Sequence, residues 1–212
     1  MIKTIEKSEE KIKLKIEIPV TLANAIRRSI NYIPILAIDS LEISKNDSAL
    51  YDEIIAHRMG LVPLKNENLK LPWKCDCEKE EGCGKCSSKF KLSAQGPCVV
   101  YSDQLAPKNS VSLKMPITIL DKDQEIEFVA NAKMGLGINH AKFSPGLLVY
   151  KYSDDSDEDS AFDKLVEETQ KDKVMELEMN IESWGQIPAK DIFIKSIEAI
   201  NEELKGFVKA IK

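Results

Sequence analysis

Two segments near opposite ends of the chain alternate apolar with polar residues, and this pattern constrains the fold more than any other feature. Between 11 and 20, apolar residues at even positions alternate mainly with lysine; between 175 and 182, apolar residues at odd positions alternate with glutamate and asparagine. A period of two is typical of a half-buried β-strand. We expect these strands to be antiparallel neighbours, so that both ends of the chain build one domain.

The middle of the chain predicts a second domain. It contains short β-like runs such as 98–101 and 126–130. After it comes an acidic run at 154–159. Because like charges repel each other, this run is predicted to be a solvated linker. An acidic interaction site is the alternative. We therefore predict an α+β fold with a discontinuous domain of antiparallel strands and two helices, interrupted by an inserted β-rich domain. The predicted boundaries are 1–40 and 160–212 for the first domain and 41–153 for the second, with a cysteine loop at 75–86.

Composition excludes several classes of function. The formal net charge is −5 and the pI is near 5.3, whereas a protein that holds nucleic acid on a broad basic face needs an excess of lysine and arginine. No apolar run approaches the roughly 20 residues of a membrane span, and the N-terminal segment has no signal-peptide core. We expect a cytoplasmic protein without direct DNA binding and without a membrane span.

The C-terminal segment predicts a helix with an apolar stripe at coiled-coil spacing. Its members recur at intervals of four and three residues over nearly three heptads. Such a stripe suits a partner helix, although packing on the chain's own sheet is the ordinary alternative for an amphipathic helix. The stripe consists of Phe193, Ile197, Ile200, Leu204, Phe207 and Ile211.

A shorter amphipathic helix is predicted directly after the first alternating segment. Leu22, Ile26 and Ile30 share one face, and a proline ends the run. Arg27 and Arg28 lie side by side on the polar face. Two guanidinium groups suit carboxylate or phosphate partners, and a solvated charge pair is the alternative.

Residues 49–60 predict another helix. Ser48 is a candidate N-cap, two acids follow in the first turns, and Gly60 ends the helix. His57 and Arg58 lie side by side near its end. No nucleophile or metal-ligand spacing accompanies His57, so a structural histidine is favoured over a catalytic one.

Four cysteines offer the only predicted cofactor chemistry. Their spacing is C-x-C-x5-C-x2-C, and four thiolates this close together can form the tetrahedral site of structural zinc. The alternatives are two disulfides, which a reducing cytosol disfavours, and reduced thiols in a bare loop. A fifth cysteine, Cys98, stands alone and is predicted to be a buried apolar residue. The predicted ligands are Cys75, Cys77, Cys83 and Cys86.

Three segments occur in an order that resembles a known protein family. They are TLANAIRR at 21–28, ALYDEIIAHRMGLVPL at 49–64 and KMGLGINHAKFSP at 133–145. Together they resemble the alpha-type assembly subunits of DNA-directed RNA polymerase, a family with bacterial, archaeal and eukaryotic branches, and they are most similar to the archaeal branch. The resemblance spans most of the chain and implies a non-catalytic scaffold.

The resemblance implies two kinds of partner. In this family the discontinuous domain is a dimerisation domain whose two helices form the interface, which here would contain Leu22, Ile26, Ile30 and the C-terminal stripe. The archaeal partner is a small alpha-like subunit, L, and the heterodimer then receives the large catalytic subunits and small assembly subunits. The residues expected to contact the large subunits are Arg27, Arg28, His57, Arg58, His140 and Lys142.

The resemblance also bears on the metal. Related subunits have a zinc loop at the position of the four cysteines, and some archaeal ones add an iron–sulfur insertion before the last strands. Residues 153–173 contain no cysteine, so we expect one structural zinc ion and no inserted cluster. An iron–sulfur cluster in the cysteine loop itself is the less favoured alternative.

No catalytic constellation is predicted. The acidic residues fall on strand faces, helix surfaces and the linker, whereas phosphoryl transfer by a polymerase needs carboxylates clustered around two metal ions. We therefore expect an assembly subunit of a transcription enzyme that has no active site of its own. Two other classes stay open: a free-standing zinc or iron–sulfur protein with a redox or sensing role, and a homodimeric scaffold unrelated to transcription.

Overall fold

The computed structural model describes residues 2–65, 87–153 and 174–211. The chain forms two units, Met1–Ile33 with Pro145–Lys212, and Pro34–Ser144. The first unit thus combines both ends of the chain, and the second is continuous. These joins lie several residues from the boundaries predicted after 40 and between 153 and 160.

The frame of the first unit is a four-stranded antiparallel sheet with the order β1-β2-β9-β8. Its strands are β1 (Ile2–Lys7), β2 (Lys11–Pro19), β8 (Gly146–Tyr152) and β9 (Val174–Ser183).

Strands β2 and β9 pair through the two alternating segments of the sequence. Leu14 lies opposite Met179 and Ile16 opposite Leu177, and all four side chains are buried. The charged residues between them point to the other face, as the two-residue period requires. The predicted antiparallel neighbours are confirmed.

In the part of the first unit that the structure describes, two helices contact this sheet and each other. Helix α1 (Val20–Ser29) follows β2 without a loop and continues as a 3-10 turn at Ile30–Tyr32. The C-terminal helix, α3 (Ala189–Ile211), follows β9 and contacts β2, β9 and α1. Ile26 of α1 and Ile192 of α3 are buried, so these helices and the sheet enclose the core of the first unit.

The described residues of the second unit form a three-stranded antiparallel sheet of order β3-β7-β4, a separate pair of strands, and one helix. Its core includes Phe90, Phe128 and, from the helix, Ile55 and Met59. The predicted strands at 98–101 and 126–130 are confirmed as β5 and part of β7. The elements are β3 (Ile35–Asn46), α2 (Asp52–Gly60), β4 (Ser87–Gln95), β5 (Cys98–Tyr101), β6 (Pro116–Leu120) and β7 (Glu125–Gly135).

Helix α2 begins later than predicted, so the assignment of Ser48 as its cap is wrong. The N-cap residue is Tyr51, and its side chain makes no capping hydrogen bond. Ser48 is instead held by Asn46, whose Oδ1 accepts a hydrogen bond from the Ser48 Oγ at 2.7 Å. The Asn46 amide also donates to Asp52 Oδ1 at 2.7 Å, and this local bonding of Asn46 competes with a cap at Ser48. The predicted end at Gly60 is confirmed.

Candidate functional site

Helix α3 has an apolar face that the described part of the chain leaves uncovered. Ile192 and Ser196 in its first two turns are fully buried, whereas every residue from 201 to 211 is exposed. Leu204 and Phe207 are 57% and 67% exposed. We call the following exposed side chains the α3 face: Ile197, Leu204, Phe207, Val208 and Ile211.

The predicted C-terminal stripe is divided between this face and the unit's own core. Phe193 and Ile200 are half-buried, and the other four predicted members are exposed. The residues of the stripe become more exposed toward the C-terminus of the helix, because α3 packs on the sheet only through its first turns. Packing on the chain's own sheet therefore accounts for the first turns of the helix, and a partner helix stays a prediction for the rest of the stripe.

Helix α1 contributes less apolar surface than its sequence pattern predicted. Ile26 and Ile30 are each 5% exposed and belong to the core of the first unit, whereas Leu22 is 43% exposed. A partner at this helix would meet Leu22 and not the two isoleucines.

The two arginines of α1 differ in their surroundings. Both are exposed, but the Arg27 guanidinium donates to Asn24 Oδ1 from Nε at 3.1 Å and from Nη2 at 2.9 Å. The Arg28 guanidinium has no hydrogen-bond or ion-pair partner among the described residues, although the Arg28 backbone carbonyl accepts from Ile30 N. Arg28 is thus the arginine of the pair that is available to an acidic partner.

In the second unit, α2 exposes one face with aromatic and apolar residues and a histidine. Tyr51, Ile54 and Leu61 are exposed, and His57 lies among them at the surface. Arg58 is attached to its own unit, since its Nη1 donates to the backbone carbonyl of Ile117 in β6. Of the two predicted contact residues in α2, His57 is the more available.

Three charged side chains form a cluster beside the segment that follows β7. The Asp39 carboxylate accepts from Lys133 Nζ at 2.6 Å through Oδ2 and from Lys142 Nζ at 2.7 Å through Oδ1. Lys142 is 14% exposed and its Nζ lies 5.1 Å from the centre of the Phe143 ring. The predicted contact residue Lys142 is therefore engaged within its own unit.

The electrostatics of Asp39 reflect two opposing effects. Partial burial disfavours the charged form and raises the pKa of its carboxyl group, but hydrogen bonds and charge from Lys133 and Lys142 lower it. The result is an Asp39 pKa below the ordinary 3.8. Asp39 is ionised at neutral pH and can hold both lysines at once.

The turn at 136–140 is fixed by the residues after it. His140 Nδ1 accepts from the backbone amide of Lys142 at 3.1 Å, which caps the 3-10 turn Ala141–Phe143. The Phe143 ring is buried against Gly135, where an added Cβ would come within 2.6 Å of three ring carbons. The turn exposes Ile138, at 58%, and the predicted contact residue His140.

The predicted zinc ligands Cys75, Cys77, Cys83 and Cys86 lie outside the described residues, and so does the acidic run at 154–159. Within the described ranges, no group of three or more His, Cys, Asp or Glu side chains has the arrangement of a metal site. Cys98 is half-buried against the core of the second unit, and its Sγ donates to the Gln95 carbonyl at 3.4 Å. No helix in the described segments has the length and apolar character needed to cross a membrane.

Asp39 was not predicted from the sequence. The available signal was an acidic residue directly after the apolar run Ile35–Ile38, which is wholly buried in β3. Its two lysine partners are remote in sequence, so residue spacing could not have identified them.

The chain is similar to known proteins along most of its length. The sequence profile of the RNA polymerase Rpb3/RpoA insert domain matches residues 36–149, which include most of the second unit. The chain is 32% identical to DNA-directed RNA polymerase subunit Rpo3 of Methanothermobacter thermautotrophicus, with 90% of each chain covered.

Two further relatives have the same subunit name. The Rpo3 subunit of Methanocaldococcus jannaschii is 31% identical, and the alignment covers 96% of this chain and 91% of the relative. That of Pyrococcus horikoshii is 39% identical over 71% of this chain and 59% of its own length. The similarity therefore includes both units and is not confined to the insert domain.

Proposed function

Because the chain belongs to the family of RNA polymerase subunits that contains archaeal Rpo3, we propose that it pairs through α3 with the small alpha-like subunit, L. As a member of this family it is a non-catalytic assembly subunit of DNA-directed RNA polymerase. The resulting heterodimer is the platform on which the large catalytic subunits and the small assembly subunits gather. We place this assembly in the cytoplasm, where transcription occurs in a cell without a nucleus.

The α3 face is the observation that supports this pairing most directly. A helix whose last three turns expose leucine, phenylalanine, valine and isoleucine has an apolar patch of the kind that marks an interaction site or causes aggregation. Obligate interfaces typically bury upward of about 2,000 Å² and resemble a protein core. A second apolar helix is the partner that coiled-coil spacing favours.

A separate surface of the second unit suits the large subunits. The exposed face of α2 combines Tyr51, Ile54 and Leu61 with His57. Aromatic anchors among apolar neighbours are enriched in the centres of protein interfaces. We propose that this face and the turn at 136–140 contact a large subunit, and that Arg28 of the first unit binds an acidic residue there.

We also propose that the cysteine loop binds one zinc ion. The donor set fits the metal, because four thiolates within twelve residues supply a complete tetrahedral shell of soft ligands. A closed shell of this kind leaves no position for substrate, so the ion would stabilise the second unit and take no part in chemistry.

The pairing is tested by Leu204→Asp in the full-length chain, co-expressed with the small alpha-like subunit and analysed by size-exclusion chromatography. If Leu204 is buried by the partner, the new carboxylate loses much of its hydration at a cost of several kcal/mol, which dissociates many complexes. We expect the variant chain to separate from the small subunit under conditions in which the wild-type chain co-elutes with it.

Gly206→Asp is the matched control. It adds the same carboxylate two residues further on, about 200° around the helix, where an added Cβ meets nothing within 4 Å. This variant should co-elute normally. If Leu204→Asp also co-elutes at an unchanged ratio, the α3 face is not the interface. A stable homodimer that does not bind the small subunit would instead favour the alternative of a homodimeric scaffold unrelated to transcription.

A further inference from the structure

We infer that Asp39 is a positioning residue for the turn at 136–140. Lys142 holds the turn by its ion pair with Asp39 and does not touch a partner subunit. The inference rests on the proposed docking of this turn onto a large subunit. It assigns the exposed contact to Ile138 and His140, and an internal role to the lysine that follows them.

Asp39 occupies an irregular place in its strand. Ile38 pairs with Ala132 and Ser40 pairs with Asn131, so Asp39 is the extra residue of a β-bulge between β3 and β7. A bulge turns a side chain away from the regular alternation of a strand. Here it directs the carboxylate to a lysine on the neighbouring strand and to a second lysine beyond the turn.

The side-chain ammonium and the backbone N–H of Lys142 are already bonded within the second unit. Its Nζ is bonded to Asp39, its backbone amide is bonded to His140 Nδ1, and its side chain is 14% exposed. A direct contact with another subunit would require Lys142 to leave a partly buried carboxylate. Hydrogen bonds between charged groups are stronger than neutral ones, so this exchange is unfavourable.

The turn itself has few other attachments. Asn139 N donates to the Leu136 carbonyl at 2.9 Å, a bond within the turn. The turn is joined to the sheet through the residues on either side of it, chiefly the Phe143 ring against Gly135 and the Lys142 ion pair. Loss of the ion pair removes one of these two main attachments, so the turn should open more often.

The experiment compares three variants of the full-length chain: Asp39→Asn, Lys142→Met and Lys133→Met. Lys133 is the matched control, because it bonds to the same carboxylate at 2.6 Å but lies on β7 and does not hold the turn. Hydrogen exchange of the 139–143 amides measures opening of the turn, and titration of each variant with the isolated large subunit that contacts the second unit measures docking.

We expect Asp39→Asn and Lys142→Met to exchange these amides about tenfold faster and to bind the large subunit about tenfold more weakly, the change that loss of one charge-assisted hydrogen bond produces. Lys133→Met should change neither quantity. All three should bind the small subunit like the wild type, because that interface belongs to the first unit. Lys142→Arg, which keeps the charge, should restore both quantities.

Two results would overturn the inference. If Lys142→Met weakens docking without faster exchange of the turn, Lys142 touches the large subunit directly. If Lys133→Met has the same effects as the other variants, the cluster only stabilises the second unit in general. Faster exchange with unchanged docking has a different meaning: Asp39 then holds the turn, and the proposed docking of the turn fails.

Discussion

Leu14 lies directly opposite Met179, although most of the chain separates the two residues. Both side chains are buried, and the pair lies next to the central pair of the ladder between β2 and β9. The first unit, and with it the helix that bears the α3 face, therefore depends on contacts between the two ends of the chain. This dependence can be measured.

Leu14→Ala should destabilise the first unit by about 2–5 kcal/mol, since it removes a buried side chain and leaves a cavity. Lys13→Ala is the control: it removes only a partly exposed ion pair with Glu6 at 3.7 Å and should cost less than about 1 kcal/mol. Urea unfolding is followed by Trp184 fluorescence in a Trp73→Phe background, because these are the chain's two tryptophans. Similar midpoints for both variants would contradict the prediction.

Gly135→Ala should destabilise the second unit by about 1–3 kcal/mol, because the new methyl group would overlap the buried Phe143 ring. Gly206→Ala makes the same substitution in a helix with open space around it and should be neutral or stabilising by up to about 1 kcal/mol. Thermal unfolding of both variants beside the wild type checks the contrast. A stable Gly135→Ala protein would show that the ring moves aside without cost.

The Asp39 cluster should make the second unit sensitive to acid. The Asp39 pKa is lowered in the folded protein, whereas an unfolded chain has a value near 4. A group with a lowered folded pKa stabilises fully above the unfolded pKa, and this stabilisation is lost as the pH falls through the folded value. The stability difference between wild type and Asp39→Asn should thus be largest at neutral pH and shrink below about pH 4. Denaturant midpoints measured across that range test the sign, and a difference that widens on acidification would refute it.

The cysteine loop should contain one zinc ion per chain. Metal analysis of anaerobically purified protein checks this, and stoichiometric iron and sulfide with visible absorption would identify a cluster instead. Structural zinc in small modules supplies on the order of 10 kcal/mol of apparent binding free energy near neutral pH, so Cys83→Ser should loosen the second unit. The first unit should keep its stability and its binding of the small subunit, because its strands and helices come from other parts of the chain.

The elements that could be predicted from the sequence are those with a regular period. The alternation around Leu14 and Met179 predicted two paired strands, and the spacing from Phe193 to Ile211 predicted a long helix. In both cases the apolar residues recur with the period of the backbone, because that period decides which side chains share one face.

Other features depend on contacts between residues far apart in sequence and could not be predicted. Ile26 and Ile30 have the spacing of an interface, yet the folded unit buries them itself. Asp39 reaches Lys142 only because β3 is bulged and β7 lies beside it. Serine is a residue type that often caps helices, but the Ser48 hydroxyl is hydrogen-bonded to Asn46 Oδ1.

Because the first unit is discontinuous in sequence, the two units fold in a set order during translation. Residues 34–144 form a continuous unit, so they can fold as soon as they have emerged. Strand β2 must wait for its neighbour β9, which is translated after that whole unit. A nascent chain therefore lacks the helix proposed to bind the small subunit until translation has passed the second unit, and a chain terminated before that helix could not form the proposed pair with the small subunit.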